Sequence, residues 1–250
     1  MSIAPFERRT ALLLGEEGVD ALHKAHVILF GVGGVGGYVA EALARAGIGK
    51  LTLVDDDTIA ESNRNRQLIA LTDTVGENKV AVAARRIKAI NPDCQVVQKQ
   101  LFYMPETADE VNFEDASYVV DAVDTVTAKL EIIGRALRTG VPVISSMGTG
   151  NKLHPELLIL TTIEKTTACP LARVMRRECR VRGYKNIPVV YSTEPALTQK
   201  NIDGPAEAPA NEENRPGNPK KQTPGSVSFV PGAAGLIIAG KVVRDLTGQP

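Results

Sequence analysis

The stretch Ala25-His-Val-Ile-Leu-Phe-Gly-Val-Gly-Gly-Val-Gly-Gly-Tyr38 limits what this chain can become more than any other. An apolar run, Val27 to Phe30, gives way to Gly31, Gly33, Gly34 and Gly36. It then continues into Tyr38-Val-Ala-Glu-Ala-Leu-Ala-Arg-Ala46, which has helical character. Strand, glycine turn and helix in that order make a phosphate-binding βα unit. The glycines let the backbone turn tightly and approach an anion with no side chain between. The helix directs its unpaired N–H groups and positive dipole end at that anion. On these residues alone the ligand is a nucleotide, with NAD, FAD and ATP equally open.

Downstream residues narrow the choice. Lys50-Leu-Thr-Leu-Val-Asp55 reads as a second strand ending in acid, with Asp56 and Asp57 directly after it. In a βαβ nucleotide fold the carboxylate that closes the second strand meets the ribose hydroxyls. Asp55 stands 19 residues after Gly36, where that role requires it. Residues 58–67 are too polar for a core strand. A helix is expected from Val80 to Ile90, closed by Asn91-Pro92. The glycine loop and helix end largely satisfy a dinucleotide's pyrophosphate, whereas a triphosphate recruits Arg or Lys side chains as well. Arg66 and Lys79 follow the ribose carboxylate and favour ATP. Ser117-Tyr-Val-Val-Asp-Ala-Val-Asp124 is a further strand with Asp121 and Asp124 at its carboxyl end, where ligands of open α/β sheets bind. Asp124 suits a magnesium ion on phosphates. Its competing role is a cap for the helix expected over 128–137. Strands are also expected over 95–101 and 141–146, the second leading into another glycine-bearing turn, Met147-Gly-Thr-Gly-Asn151.

Residues 7–24 supply one or two short amphipathic helices, interrupted at Gly15 and Gly18. Arg8 and Arg9 at their start read as solvated. After a strand over 156–162, Cys169-Pro170-Leu171 opens a basic helix. Arg173, Arg176, Arg177 and Arg180 recur at spacings of three and four and share one face. Formal net charge is zero, so any nucleic-acid contact must rest on a local patch such as this one. A solvated helix with partner carboxylates elsewhere explains it equally. Tyr184 adds one aromatic ring that could stack on a base. A strand over 187–193 follows. Residues 198–224 contain five prolines and two glycines and read as a mobile excursion. A strand over 226–230 and an apolar helix over 233–243 close the chain. That last stretch is too short and interrupted for a membrane span, and no signal peptide is apparent. The three cysteines, Cys94, Cys169 and Cys179, form no Cys-x-x-Cys, which argues against a disulfide framework and a four-cysteine zinc site. A cytoplasmic location is the simple reading, and no zinc is expected. Cys169 reads as either a nucleophile or a structural residue. His23, His26 and His154 show no ligand or triad spacing.

These motifs resemble the ubiquitin-activating-enzyme-like superfamily. They are Gly31-x-Gly-Gly-x-Gly36, Leu-Thr-Leu-Val-Asp55-x-Asp57, Ser-Asn63-x-x-Arg66-Gln67, Val-Gly-x-x-Lys79, Ile-Asn-Pro92 and Val-Asp121-x-x-Asp124. Within it the chain is similar to the tRNA threonylcarbamoyladenosine dehydratase branch, through Phe6-Glu-Arg-Arg-Thr, Asn65-Arg66-Gln, Lys165-Thr-x-x-Cys-Pro-Leu-Ala-Arg173 and Val190-Tyr-Ser-Thr-Glu194. The resemblance implies a Rossmann-like α/β ATP-binding fold, with a mostly parallel central sheet flanked by helices and a C-terminal extension completing it. It implies one adenylation domain over 1–250, with a nucleotide-binding core at 25–165 and a substrate extension at 166–250. The implied reaction adenylates a threonylcarbamoyl carboxylate on a tRNA adenosine and closes it into a ring, releasing AMP. The alternative is adenylation of a sulfur-carrier protein's C-terminal carboxylate; the zinc-binding cysteine pairs of that branch are missing here. By resemblance Gly33, Gly34 and Gly36 hold the phosphate region and Asp55 the ribose, with Gly31, Asp57, Asn63 and Asp121 also among the nucleotide-binding residues. Arg66 and Lys79 neutralise phosphates, and Asp124 assists magnesium or the adenylating geometry. Arg9 is the nearest match to an arginine that reaches a partner subunit's ATP, in a homodimer, although Arg8 leaves the register open. A monovalent cation and a sulfur-transfer partner protein also belong to what the resemblance brings with it.

Overall fold

The computed structural model describes residues 3–200 and 224–250. Seven strands form a single sheet in the order β3-β2-β1-β4-β5-β7-β6. They are β1 (His26–Phe30), β2 (Lys50–Val54), β3 (Gln95–Lys99), β4 (Tyr118–Asp121), β5 (Val143–Ser146), β6 (Leu158–Thr162) and β7 (Pro188–Ser192). All neighbours run parallel except β6, which pairs antiparallel with β7 at one edge. The expected mostly parallel Rossmann-like sheet is therefore present. Residues beyond 166 complete it, because β7 inserts between β5 and β6.

The central strands β1, β4 and β5 are buried along their whole length because helices cover both faces of the sheet, while the edge strands β3 and β6 are more polar and partly exposed. In β1, Val27 and Leu29 join one buried cluster while Ile28 and Phe30 join the other, the two-residue period of a strand. Helices α1 (Arg8–Lys24), α2 (Gly36–Ala46), α3 (Lys79–Ile90) and α6 (Phe229–Thr247) contribute to the first cluster. Helices α4 (Val126–Thr139) and α5 (Pro170–Arg182), with the 101–113 loop, contribute to the second. Among the described residues no helix is long and apolar enough to cross a membrane.

Two local expectations change. The N-terminal stretch is one helical run bent at Gly15, which adopts φ 73° and ψ 170°; Gly18 is buried within the second part. No strand forms over 226–230. The chain instead enters α6 at Phe229, with Pro231 inside its first turn. Proline is tolerated there because the first turn's N–H groups have no intrahelical acceptor. The excursion expected over 198–224 lies largely outside the described residues.

Candidate nucleotide site

The sheet's order reverses direction at β1, whose neighbours are β2 and β4. Beyond the carboxyl ends of β1, β2, β4 and β5 lies a cavity of about 350 Å³. Such a switch point is where open α/β sheets bind ligands.

The glycine loop forms one wall. Gly31 sits at φ 85°, and a Cβ there would stand 2.7 Å from the Ala122 carbonyl oxygen. Gly36 opens α2, and a Cβ on it would overlap the Gly31 carbonyl oxygen. The two glycines therefore let the turn fold onto itself, which brings the start of α2 up against the cavity. Gly34 lies between Pro231 of α6 and Arg66, at 3.3 Å and 3.6 Å for an added Cβ. Gly31, Gly33 and Gly34 line the cavity. Gly36 serves it from behind.

Asp55 follows β2 and accepts hydrogen bonds from the Val32 N–H at 2.6 Å and the Asp57 N–H at 2.9 Å. Burial pushes its carboxyl above the usual range, with the Lys79 charge and the two N–H donors opposing. Lys79 is buried at the start of α3 and its Nζ pairs with Asp57 Oδ2 at 2.8 Å. Asn63 is buried, and its Oδ1 accepts from the Ala60 N–H at 3.1 Å, closing the short turn Glu61–Asn63. That turn carries Arg66, whose Nη1 donates to the Ser62 carbonyl and to Asn65 Oδ1, both at 2.9 Å. Asp55, Asp57, Asn63, Arg66, Lys79 and Asp124 all line the cavity.

Asp124 stands exposed past the end of β4, with Thr125 Oγ1 at 3.4 Å. One accessible carboxylate facing a phosphate site fits magnesium, which takes one or two carboxylates and draws its other ligands from phosphates and water. Asp55, Asp56 and Asp57 also bring three carboxylate oxygens within 4.8 Å of one another. Within that trio Asp55 is held by backbone N–H groups and Asp57 by Lys79.

Asp121 departs from expectation. It is fully buried beneath the site and away from the cavity wall. Lys129 Nζ of α4 lies 3.0 Å from its Oδ2, and Ser145 Oγ of β5 donates at 2.5 Å. The same Lys129 donates to the Ser146 carbonyl at 2.7 Å. This pair ties α4 to the ends of β4 and β5, and so fixes the two turns that carry Asp124 and Gly148. Lys129 escaped the sequence reading, yet it falls at helical spacing with Ile132, Ile133 and Ala136 on an apolar face, an unusual place for a lysine.

Two further wall residues had no assigned role: Gln67, which belongs to the Asn63-x-x-Arg66-Gln67 motif, and Tyr103, which no motif marks. Gln67 Oε1 and the Tyr103 hydroxyl are buried, and neither has a hydrogen-bond partner among the described residues. Both residues line the cavity, and burial pushes the Tyr103 hydroxyl up to about 12. Buried polar atoms are nearly always paired, so an orphan in a cavity wall is accounted for by a ligand or water. With the glycine cradle, these orphans fit a nucleotide.

The arginine helix begins at the cavity, where Leu171 forms part of the wall. Ala172, Met175 and Cys179 bury its inner face. Arg173, Arg177 and Arg180 are exposed, and Arg177 pairs with Glu178 at 2.9 Å. Arg176 leaves the set: it is half-buried and donates through Nη1 to Thr166 Oγ1 at 2.9 Å and to the Thr166 carbonyl. The four arginines therefore do not present one common exposed face. Arg9 is exposed on α1 and is no part of its own chain's cavity wall. All three cysteines are buried and free.

Fold and cavity together define an α/β nucleotide-binding protein equipped for a charged phosphate chain. A profile described as the ThiF family matches residues 6–250, and the chain belongs to that family. A tRNA threonylcarbamoyladenosine dehydratase of Bacillus subtilis is 40% identical over 240 residues, covering 95% of this chain and 93% of its own. A crystal structure of the E. coli tRNA N6-threonylcarbamoyladenosine dehydratase, TcdA, in complex with AMP superposes with a TM-score of 0.84. Its identity is 30%, with 99% of this chain and 98% of that chain covered. The same enzyme in complex with ATP gives 0.83 over the same shares.

Proposed function

We propose that this chain is an ATP-dependent tRNA threonylcarbamoyladenosine dehydratase. The observation that carries the reading is the joint placement of Asp55, Arg66, Lys79 and Asp124 around the glycine loop at the sheet's switch point. Similarity over nearly the whole length to proteins of that activity supports it.

Adenylation needs charge stabilisation and alignment more than covalent chemistry. Asp55 is held by two N–H donors, which leaves its other lone pairs for ribose hydroxyls. The start of α2 and the loop meet the phosphates. Arg66 and Lys79 offset their charge, and partners already fix both side chains before ligand arrives. Such preorganisation favours transition-state stabilisation over rearrangement. The threonylcarbamoyl carboxylate attacks the α-phosphorus, and the bond to diphosphate breaks. A nucleophile of the same side chain then attacks the acyl carbon and expels AMP, so one water is lost overall. No residue of the chain is acylated, in keeping with the burial of Cys169.

Magnesium belongs on Asp124, where it would supply charge neutralisation to the phosphates. The tRNA reading rests on α5, which starts at the cavity wall and leads away from it with Arg173, Arg177 and Arg180 exposed. The reading includes a homodimer in which Arg9 serves the other copy's cavity, since Arg9 lies outside its own. A cytoplasmic location belongs to the same reading, supported by the free thiols. A monovalent cation and a sulfur-transfer partner remain expectations of the family resemblance, and no residue of this chain is assigned to them.

Incubation with ATP, magnesium and tRNA bearing threonylcarbamoyladenosine should release AMP and lower the nucleoside mass by one water. AMP release with a carrier protein ending in Gly-Gly, and none with that tRNA, would overturn the reading in favour of a sulfur-carrier adenylyltransferase.

A further inference from the structure

Asn151 ends the turn that follows β5, and it is one of few non-glycine residues in the left-handed region, at φ 57°. Its N–H donates to the Gly225 carbonyl at 2.7 Å, and its Oδ1 accepts the Gly225 N–H, also at 2.7 Å. That Oδ1 accepts a second bond from Gln199 Nε2 at 3.1 Å, and the Asn151 carbonyl accepts the Leu197 N–H at 2.9 Å. One residue thus gathers chain from both sides of the 201–223 stretch. Gly150 allows the fit, since a Cβ there would stand 2.8 Å from Pro224.

The bonds continue towards the phosphates. The next carbonyl, that of Ser226, accepts from Asn65 Nδ2 at 3.0 Å. Asn65 Oδ1 in turn accepts from Arg66 Nη1 at 2.9 Å. The amide of Asn65 has its donor on a carbonyl and its acceptor on a guanidinium, so the two partners together fix its orientation. A continuous path therefore runs from Asn151 through the backbone of 225 and 226 and the Asn65 amide to Arg66. Pro224 and Ser226 also line the cavity.

We propose that Asn151 is a positioning residue that sets the Arg66 guanidinium for the nucleotide's outer phosphates, acting through Gly225, Ser226 and Asn65. This inference rests on the ATP reading of the cavity. It makes the effect specific to the part of the ligand that AMP lacks.

The test is calorimetric titration of the full chain with ATP and, separately, AMP, without tRNA. Asn151→Gly keeps the backbone conformation and removes the side chain. It should weaken ATP about 5- to 10-fold, the worth of one positioned charge-assisted bond, and AMP by less than about 2-fold. Asn151→Asp keeps the Oδ1 acceptor and should restore ATP affinity to within about 2-fold of wild type. Asn65→Ala should match Asn151→Gly, and the double variant should be no weaker than the weaker single one. Equal losses for ATP and AMP, unchanged ATP affinity, or multiplied losses in the double variant would overturn the proposal. Should Asn151→Gly fail to fold, the ATP-against-AMP split of Asn65→Ala decides. A wild type that binds ATP but releases no AMP with modified tRNA would remove the functional reading and leave this split to be read.

Discussion

At the scale of single residues, Asp55 combines two opposing demands. It must be charged to hold ribose hydroxyls, yet burial favours its protonated form. Asp55→Asn relieves the buried charge but turns an N–H donor towards one of two backbone N–H groups. We expect folded stability within about 1 kcal/mol of wild type, as the two effects offset. ATP affinity should fall about 10- to 100-fold through loss of charge-assisted bonds, measured by titration against ATP. His26 gives a pH prediction. Its Nδ1 donates to the Asp115 carbonyl at 3.2 Å and its Nε2 lies 2.8 Å from Thr52 Oγ1, so the neutral ring is satisfied. Burial first, and the Lys50 charge next, hold its pKa below the ordinary 6.5. The unfolded chain therefore takes up the proton first as pH falls through that value, and folded stability declines. Melting temperature should drop between about pH 7.5 and pH 5.5, and His26→Gln should flatten that drop. An equal slope in both proteins would refute it. Asp55 and Lys79 stand out in the sequence because one closes a strand and the other adjoins a helix start, and Arg66 because it is a cation following the ribose carboxylate. Asn151 does not, because its partner Gly225 is 74 residues away and nothing local marks the pairing.

At the scale of elements, the helices and most strands follow from periodicity and the glycine turns. The misreadings share a cause: a local signal was weighed without its tertiary partner. Residues 226–230 read as a strand, yet Phe229 and Val230 already belong to the first turn of α6, together with Pro231. Four arginines at helical spacing read as one face, yet Thr166 draws Arg176 away. Asp121 reads as a site carboxylate because it ends β4, but α4 supplies Lys129 beneath it. Lys129→Met should leave a buried, unpaired carboxylate and destabilise the fold by about 3–5 kcal/mol, read from denaturant unfolding. Asp121→Asn combined with Lys129→Met should recover a large part of that loss. A mild effect of Lys129→Met alone would show that the pair does not clamp the two turns.

At the scale of the whole molecule, α5 starts at the wall of a cavity that the sheet builds, and α1 lies apart from it. Arg173→Glu with Arg180→Glu should raise KM for tRNA and flatten the salt dependence of tRNA binding by about 2 in logarithmic slope. ATP titration should be unaffected, because neither residue lines the cavity. Arg9→Ala and Lys79→Ala should each be inactive alone. If Arg9 serves the other copy, mixing the two should regenerate activity up to about a quarter of wild type, from the one composite site in each mixed dimer. An active Arg9→Ala would place Arg9 outside the reaction, and two inactive variants that exchange subunits without recovery would place it in its own chain's site.

Helix α6 is drawn from the last residues of the chain, yet it packs on α2 and brings Pro231 to within contact distance of Gly34. Gly235 is pressed so near the Val35 carbonyl that a side chain there would stand 2.5 Å from it. The phosphate loop is thus backed by a helix far from it in sequence, a contact whose loop-closure cost must be met before the loop gains its support. The loop's shape is therefore a property of the folded whole and not of its own glycines. A βα unit cut out on its own would carry the motif without the surface that braces it.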